Sequence, residues 1–273
     1  MQPWELYIDG IGLWAPRLPG WSAARAILRG ENAAPAVPAP RPTPALLPQT
    51  ERRRAPDTVA IALEVAASAC AAAGCPPAEV PSVFASAYGD LAVSDAMCEQ
   101  LARSPLDTSP TKFHHSVHNA AAGYWAIATG CLEPYTALTA HRHTFGAGLL
   151  AACVQALERT RVLFVAYDIE GRGPIATMAA SRGMLGASLL LAQGQTPCSR
   201  AHLLVQVAEV AGGTAAGATP ARPRNAALVE GNAIGEGLTL FEALADETAR
   251  SVRLPLGRRL FLEVAVRPLI GSA

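Results

Sequence analysis

The chain has 273 residues, of which 51% are hydrophobic and 16% charged, with 22 basic side chains balanced by 22 acidic ones. That length supports one large domain or two small ones, with a core that needs no disulfide or metal staple. Zero net charge leaves no footprint for nucleic acid or anionic lipid, and no apolar run reaches the roughly 18 residues of a membrane-spanning helix. The first residues include Glu5 and no basic start, so no signal peptide is expected, and the chain reads as cytoplasmic with six reduced cysteines. Low charge with an apolar bias favours association with a partner.

Residues 4–13 alternate as a strand and reach Gly10-Ile11-Gly12, which reads as a turn. A short helix is expected at 21–29. Six prolines between 34 and 48 make a surface loop, centred on 35–48. A strong helix follows at 57–73, with Asp57 as N-cap and Gly74 at its C-terminus. Residues 80–87 form a buried strand, 91–101 a helix, and 119–129 a helix of small residues that lets another backbone approach. A strand at 135–140 leads into a helix at 144–159, expected to bury Phe145, Leu149, Leu150, Cys153, Val154 and Leu157. Strands at 161–167 and 184–192, a Gly/Ala/Thr loop at 212–221, a helix at 237–250 and a late strand pair at 203–210 and 259–266 complete the pattern. Strands alternating with helices give an α/β class with helices on both sheet faces.

Five of the six histidines lie between positions 114 and 143. His141-Arg142-His143 falls between a strand and a helix, a scaffold that presents one side chain at a sharp turn. The turn carries imidazoles and a guanidinium, with no Cys or Ser.

At this point the chain resembles the β-ketoacyl synthases of the thiolase fold. The residues that carry the likeness are Ile8-Asp9-Gly10-Ile11-Gly12-Leu13-Trp14-Ala15-Pro16, Glu51-Arg52-Arg53-Arg54, Val83-Phe84-Ala85-Ser86-Ala87-Tyr88-Gly89-Asp90, Ser116-Val117-His118-Asn119-Ala120-Ala121-Ala122-Gly123 and Val165-Ala166-Tyr167-Asp168. The last two most resemble the chain-length-factor-like proteins of aryl polyene (xanthomonadin-type) pigment clusters. The match is good over residues 4–192 and looser beyond. The resemblance implies a thiolase-like layered αβα fold in a single domain over 1–273, a ketosynthase N-terminal half with a shortened C-terminal part at 203–267. Condensing enzymes place a Cys at the elbow; aligning Gly146 with the glycine after that Cys puts His143 in the nucleophile position. The family's two later histidines, which bind the developing enolate, have only His202 to correspond to them here.

The resemblance therefore implies no catalytic residue and no cofactor, but a subunit that pairs with an active ketosynthase and helps shape its acyl tunnel. By that analogy Leu91, Ser94, Cys98, Phe113, His118 and Asn119 are the tunnel and interface candidates, and an acyl carrier protein is a further partner, with Glu51-Arg52-Arg53-Arg54 as a weaker docking candidate. Asn119 also suits a helix N-cap. His114 and His118 have helical i, i+4 spacing, yet zinc needs three or four converging ligands, so an interface lining is preferred to a metal site. Cys131 reads as a small packing residue, and Tyr124 and Trp125 as core or interface aromatics. The competing readings are a thiolase-fold acyltransferase or hydrolase using His143 or Cys131, and a free-standing fatty-acyl-binding protein.

Overall fold

Strand β1 (Trp4–Ala15) runs straight through Gly10 and Gly12, and no turn forms there. Both glycines face helix α3 (Asp57–Ala72), and a Cβ on either would strike the helix backbone at Ala69 or Val65. Their function is close approach of helix to strand. The hydroxyl of Ser188, on the neighbouring strand, donates to the Val65 carbonyl at 2.6 Å in the same contact. The register of β1 shifts between Ile8 and Gly10. This bulge leaves Asp9 fully buried, where Arg161 donates to it at 2.9 and 3.0 Å and Ser199 and Thr196 at 2.8 and 2.9 Å. A buried carboxylate persists when it is paired and hydrogen-bonded in this way.

This computed structural model describes residues 2–107, 109–209, 222–246 and 248–269; the loop expected at 212–221 lies outside them. After β1 come β2 (Leu18–Pro19), α1 (Trp21–Leu28), α2 (Gln49–Arg54) and α3. The proline-rich stretch before α2 has no regular structure. Arg41 ties it down by pairing with Asp57 at 2.7 Å and donating to the Ala55 carbonyl. Asp57 is thus the first residue of α3 with an ion-pair partner, and Pro56, with no side chain to donate or accept, holds the cap position expected for Asp57. At the other end Gly74 takes φ +58°, and the Cys75 amide closes back on the Cys70 carbonyl at 3.0 Å, a glycine-terminated helix end.

The middle of the chain contributes β3 (Ser82–Ala85), α4 (Leu91–Arg103), α5 (Pro110–Ser116), α6 (Ala120–Thr129), β4 (Tyr135–Leu138) and α7 (Thr144–Ala156). Then follow β5 (Arg161–Ile169), β6 (Met184–Ala192), β7 (Ala201–Glu209), α8 (Leu238–Ala245), β8 (Arg250–Pro255) and β9 (Leu260–Pro268). Among the described residues nine strands make one sheet in the order β4-β3-β5-β6-β1-β7-β9-β8, with β2 added to β1. The β4-β3-β5 pairs are parallel and the rest antiparallel. The helix expected at 237–250 ends at Ala245, and Arg250 starts an edge strand instead.

One sheet face packs on α1, α7 and α8, with Phe145, Phe164 and Phe241 at its centre. The other packs on α3 and α6, but only over β1, β3, β5 and β6. Helix α7 buries Phe145, Leu149 and Cys153 as expected, whereas Val154 is exposed and Leu150 and Leu157 are half-buried, because α7 covers the sheet with a narrower stripe than its composition suggests. No helix of the described residues is long and apolar enough to cross a membrane.

The glycine contacts predict an asymmetric pair of variants. Gly12→Ala forces its methyl onto the α3 backbone and should cost about 1–3 kcal/mol or more. Gly123→Ala, in α6 with open space around it, should gain about 0.5–1 kcal/mol. Urea denaturation midpoints of the two proteins, read against the parent, check both signs.

Candidate functional site

The chain leaves β4 at Leu138 and turns through a single 3-10 turn, His141–His143, directly into α7. Thr144 organises this elbow. Its hydroxyl accepts the Ala140 amide at 2.9 Å and donates to the His141 carbonyl at 2.8 Å. His141 has φ +53°, the only non-glycine residue with positive φ among the described residues, so the turn holds local backbone strain. His143 stands at the N-cap of α7, half-buried, and its side chain makes no capping bond. Its Nδ1 is buried with no hydrogen-bond partner among the described residues. Gly146 and Gly148 let the first turn of α7 seat deeply: a Cβ on Gly146 would sit 2.6 Å from the Pro255 carbonyl oxygen, and one on Gly148 2.6 Å from the Ala85 Cβ.

A second element meets the elbow from below. Residues 86–90 link β3 to α4 and are clamped by Asp168, at the end of β5. The Asp168 carboxylate accepts Ser86 Oγ at 3.1 Å, the Ala87 amide at 2.8 Å and the Tyr88 amide at 3.3 Å. Burial pushes this carboxyl up to about 7, against the three hydrogen bonds that favour its charged form. Asp90 then caps α4 by accepting the Val93 amide at 2.8 Å, and it takes the Thr58 hydroxyl of α3 at 2.9 Å. Thr139 donates to the Ala87 carbonyl at 3.0 Å, and the Tyr88 ring meets His141 edge-on at 5.9 Å. Elbow, clamp and α4 form one connected unit.

The residues singled out from the sequence fall around this unit but do not converge on one cavity. Leu91 is buried, and its Cδ1 lies 3.0 Å from where a Cβ on Gly171 would stand. Ser94 is half-buried and donates to the Asp90 carbonyl at 2.9 Å, while Cys98 is exposed. Phe113 is 61% exposed. His118 bonds the Ser86 carbonyl through Nε2 at 2.9 Å, so it braces the clamp from the side of α6. A cavity of about 210 Å³ borders α4 on the opposite helix face, at Ala92, Val93, Ala96 and Lys112.

Two expectations change. Asn119 occupies the N-cap position of α6 but makes no capping bond; its amide donates to the Tyr135 hydroxyl at 3.2 Å. His114 and His118 do not share a helix, because α5 stops at Ser116. Instead His114 and His115 pack on Tyr124, with His115 Nε2 2.8 Å from the Tyr124 hydroxyl. Burial and then the neighbouring His114 hold His115 below the usual imidazole range. Among the described residues no three His, Cys, Asp or Glu side chains gather as a metal site. Trp125 is a core residue, and Cys131 is buried 3.6 Å from the Val80 carbonyl.

The sequence reading missed the roles of Asp168, Ser86 and Glu236. An acid directly after the apolar run of β5 was the available signal for Asp168. Glu236 precedes α8 in a turn that packs on α7, where Gly237 abuts the Phe145 ring. Its Oε1 is buried with no hydrogen-bond partner among the described residues, and burial pushes its carboxyl up to about 8.

Two predictions follow from these acids. Asp168→Ala strands two buried amides and should cost about 2–4 kcal/mol, with hydrogen exchange accelerating first at residues 86–94. Glu236 binds its proton more tightly folded than unfolded, so its contribution is fully present below about pH 4.5 and is lost as pH rises toward 8. Glu236→Gln should therefore match the parent in thermal midpoint near pH 4.5 and exceed it near pH 8; a constant offset across that window contradicts the assignment.

Comparison with known proteins places this geometry in a family. The family model described as "Beta-ketoacyl synthase, N-terminal domain" matches residues 21–233. It begins after β1, so the Ile8–Pro16 likeness lies outside it, and it extends past residue 192, where the sequence likeness weakens. Among solved structures, the chain is similar to one in the ketosynthase (ApeO) complex with its chain length factor (ApeC) from Xenorhabdus doucetiae. There the TM-score is 0.70 and identity 19%, over 95% of this chain and 98% of that one. It is similar to the ishigamide ketosynthase/chain length factor at TM-score 0.71 and 16% identity, over 97% and 99%. It is also similar to a beta-ketoacyl synthase from Burkholderia phymatum at TM-score 0.67 and 12% identity, over 98% and 100%. No curated protein matches. The alignments take in nearly all of both chains, so the compact length is shared by the matched chains. With its αβα sheet and elbow in place and the family model spanning well over half its length, the chain belongs to the β-ketoacyl synthase N-terminal-domain family.

Proposed function

We propose that the chain is a non-catalytic, chain-length-factor-like subunit that pairs with an active ketosynthase in polyene or fatty-acid-type polyketide biosynthesis in the cytoplasm. The observation that carries this reading is the elbow. Its strand, strained turn and helix N-terminus are present, and aligning Gly146 with the family's glycine assigns His143, an imidazole, to the nucleophile position. A thiolate at a helix N-terminus takes up an acyl group as a thioester; a neutral imidazole does not hold one for condensation. In this reading residues 1–273 act as one domain with a shortened C-terminal part, and the chemistry belongs to the partner.

The surface around β4 supports a partner. β4 ends the sheet with an open edge, which is a template for pairing with another chain. β4 and the α6 and α7 segments beside it expose Tyr135, Ile127, Leu132 and Val154, with Ile127 79% and Leu132 96% exposed. Scattered apolar residues on a surface need no explanation, but a group bordering an open strand edge fits an interface. Leu91, Ser94, Cys98, Phe113, His118 and Asn119 are the proposed tunnel and interface positions; Asn119 touches β4 through the Tyr135 hydroxyl. Arg53 and Arg54 are exposed on α2 and suit an acidic acyl carrier protein.

Co-expression with the neighbouring ketosynthase followed by size exclusion tests the pairing. The expected result is a stable heterodimer that Ile127→Glu weakens about tenfold or more. Within the heterodimer, Leu91→Trp or Ser94→Phe should shorten the product, and His143→Ala should leave turnover unchanged. A monomer without effect on the ketosynthase overturns the pairing, constant product length overturns the tunnel positions, and lost turnover in His143→Ala favours the enzyme reading.

A further inference from the structure

The sheet is covered unevenly, and its uncovered part carries a cavity. On β7, Leu203 and Val205 point to the core while Leu204 and Gln206 point away; on β9, Val264 and Val266 point to the core while Glu263 and Ala265 point away. The outward residues share the face of Glu5 and Tyr7 on β1, since Glu5 pairs with Leu204 and Tyr7 with His202. That is the face α3 covers further along the sheet, at Gly10 and Gly12. Among the described residues no helix covers it over β7, β9 and β8. A cavity of about 670 Å³ lies there and wraps the β8 edge to reach Thr239 of α8. Its volume is in the range of small-molecule sites, about 300–1,000 Å³.

The lining has a definite polarity. Leu204 and Ala265, paired in register, make an apolar floor. Among the described residues Arg222, Arg250, Arg253 and one acid, Glu263, complete the lining; Arg253 is in register with Glu263 on the outward face, and Arg250, in register with Val266, is reached round the β8 edge. Glu263, Asp246 and Glu230 balance the three charges, so the site offers spare guanidinium donors rather than an excess of positive charge. Each guanidinium is steadied by one acid: Arg253 donates through Nε to Glu263 at 2.7 Å, Arg250 through one terminal nitrogen to Asp246 at 2.9 Å, and Arg222 through one to Glu230 at 3.4 Å. Glu263 is itself fixed by Gln206 at 2.9 Å. A guanidinium has five donors in a planar fork, so each of these bonds leaves donors for a carboxylate or phosphate.

We infer that this cavity binds an anionic amphiphile, a carboxylate or phosphate monoester attached to an apolar chain, with the head group on the arginines and the chain on Leu204 and Ala265. The site is separate from the elbow and does not depend on pairing with a ketosynthase.

Isothermal titration of the purified chain with octanoate, octyl phosphate and octanol tests it. Saturable binding of one or both anions, at least tenfold tighter than octanol, is expected. A carboxylate preference and a phosphate preference both support the site and assign its head group. The double variant Arg250→Gln/Arg253→Gln should weaken anion binding about tenfold or more, and Ala265→Trp, which fills the floor without touching charge, should weaken it similarly. Circular dichroism matched to the parent establishes that the variants fold. No saturable binding, equal binding of octanol, or binding that survives both substitutions overturns the inference.

Discussion

Asp168 lies fully buried at the end of β5, where a carboxyl group must be hydrogen-bonded or give up its charge. It takes three donors from one short loop, and through that loop it fixes everything at the functional end of the molecule. Ser86, Ala87 and Tyr88 hold the carboxylate; Asp90 then starts α4 and grips Thr58, His118 grips the Ser86 carbonyl, and Thr139 grips the Ala87 carbonyl. Four elements distant in sequence are positioned by one acid. A network of this kind gains rigidity when every member is satisfied and loses it when one is removed. The elbow's strained turn persists because this surrounding network determines its shape.

Close packing is the second constraint. Gly10, Gly12, Gly146 and Gly148 each stand where a methyl group would meet backbone or core atoms. They bring α3 and α7 onto opposite sides of the same sheet, so that the strand ends carrying Asp168 and the elbow are close. The bulge at Asp9 belongs to the same construction, since it moves β1 by one position and fastens β5 to the 196–199 turn through Arg161.

Most of the elements were legible in the sequence because their apolar periodicity is strong: β5 and α3 are apolar almost throughout. The glycine pair of β1 was misread as a turn because the helix that needs those glycines lies more than fifty residues later, and no local pattern reports it. Likewise β8 was not foreseen: it starts at Arg250, where the expected helix stops, and Arg250–Pro255 is short with its pairing to β9 set by the tertiary fold. At the candidate site the elbow and His143 stood out as a strand, turn and helix; Asp168 was visible as an acid ending an apolar run, but its clamp, like the burial of Glu236, depends on partners that only the fold supplies. The capping assigned to Asn119 failed for a similar reason: Tyr135, sixteen positions on, competes for its side chain.

The uneven covering of the sheet also divides the molecule in time. Strands β1, β5 and β6 are sealed between α3 on one side and α1 or α7 on the other, which puts their amides at the slowly opening end of the fold. Among the described residues the β7-β9-β8 segment has helices on one face alone, and β8 is an edge strand with a single neighbour. Sub-global opening therefore begins at this end, exposing the far side of the sheet while the elbow remains folded. The part of the sheet that meets the elbow is thus the slow, rigid part, and the β7-β9-β8 end is where the protein breathes.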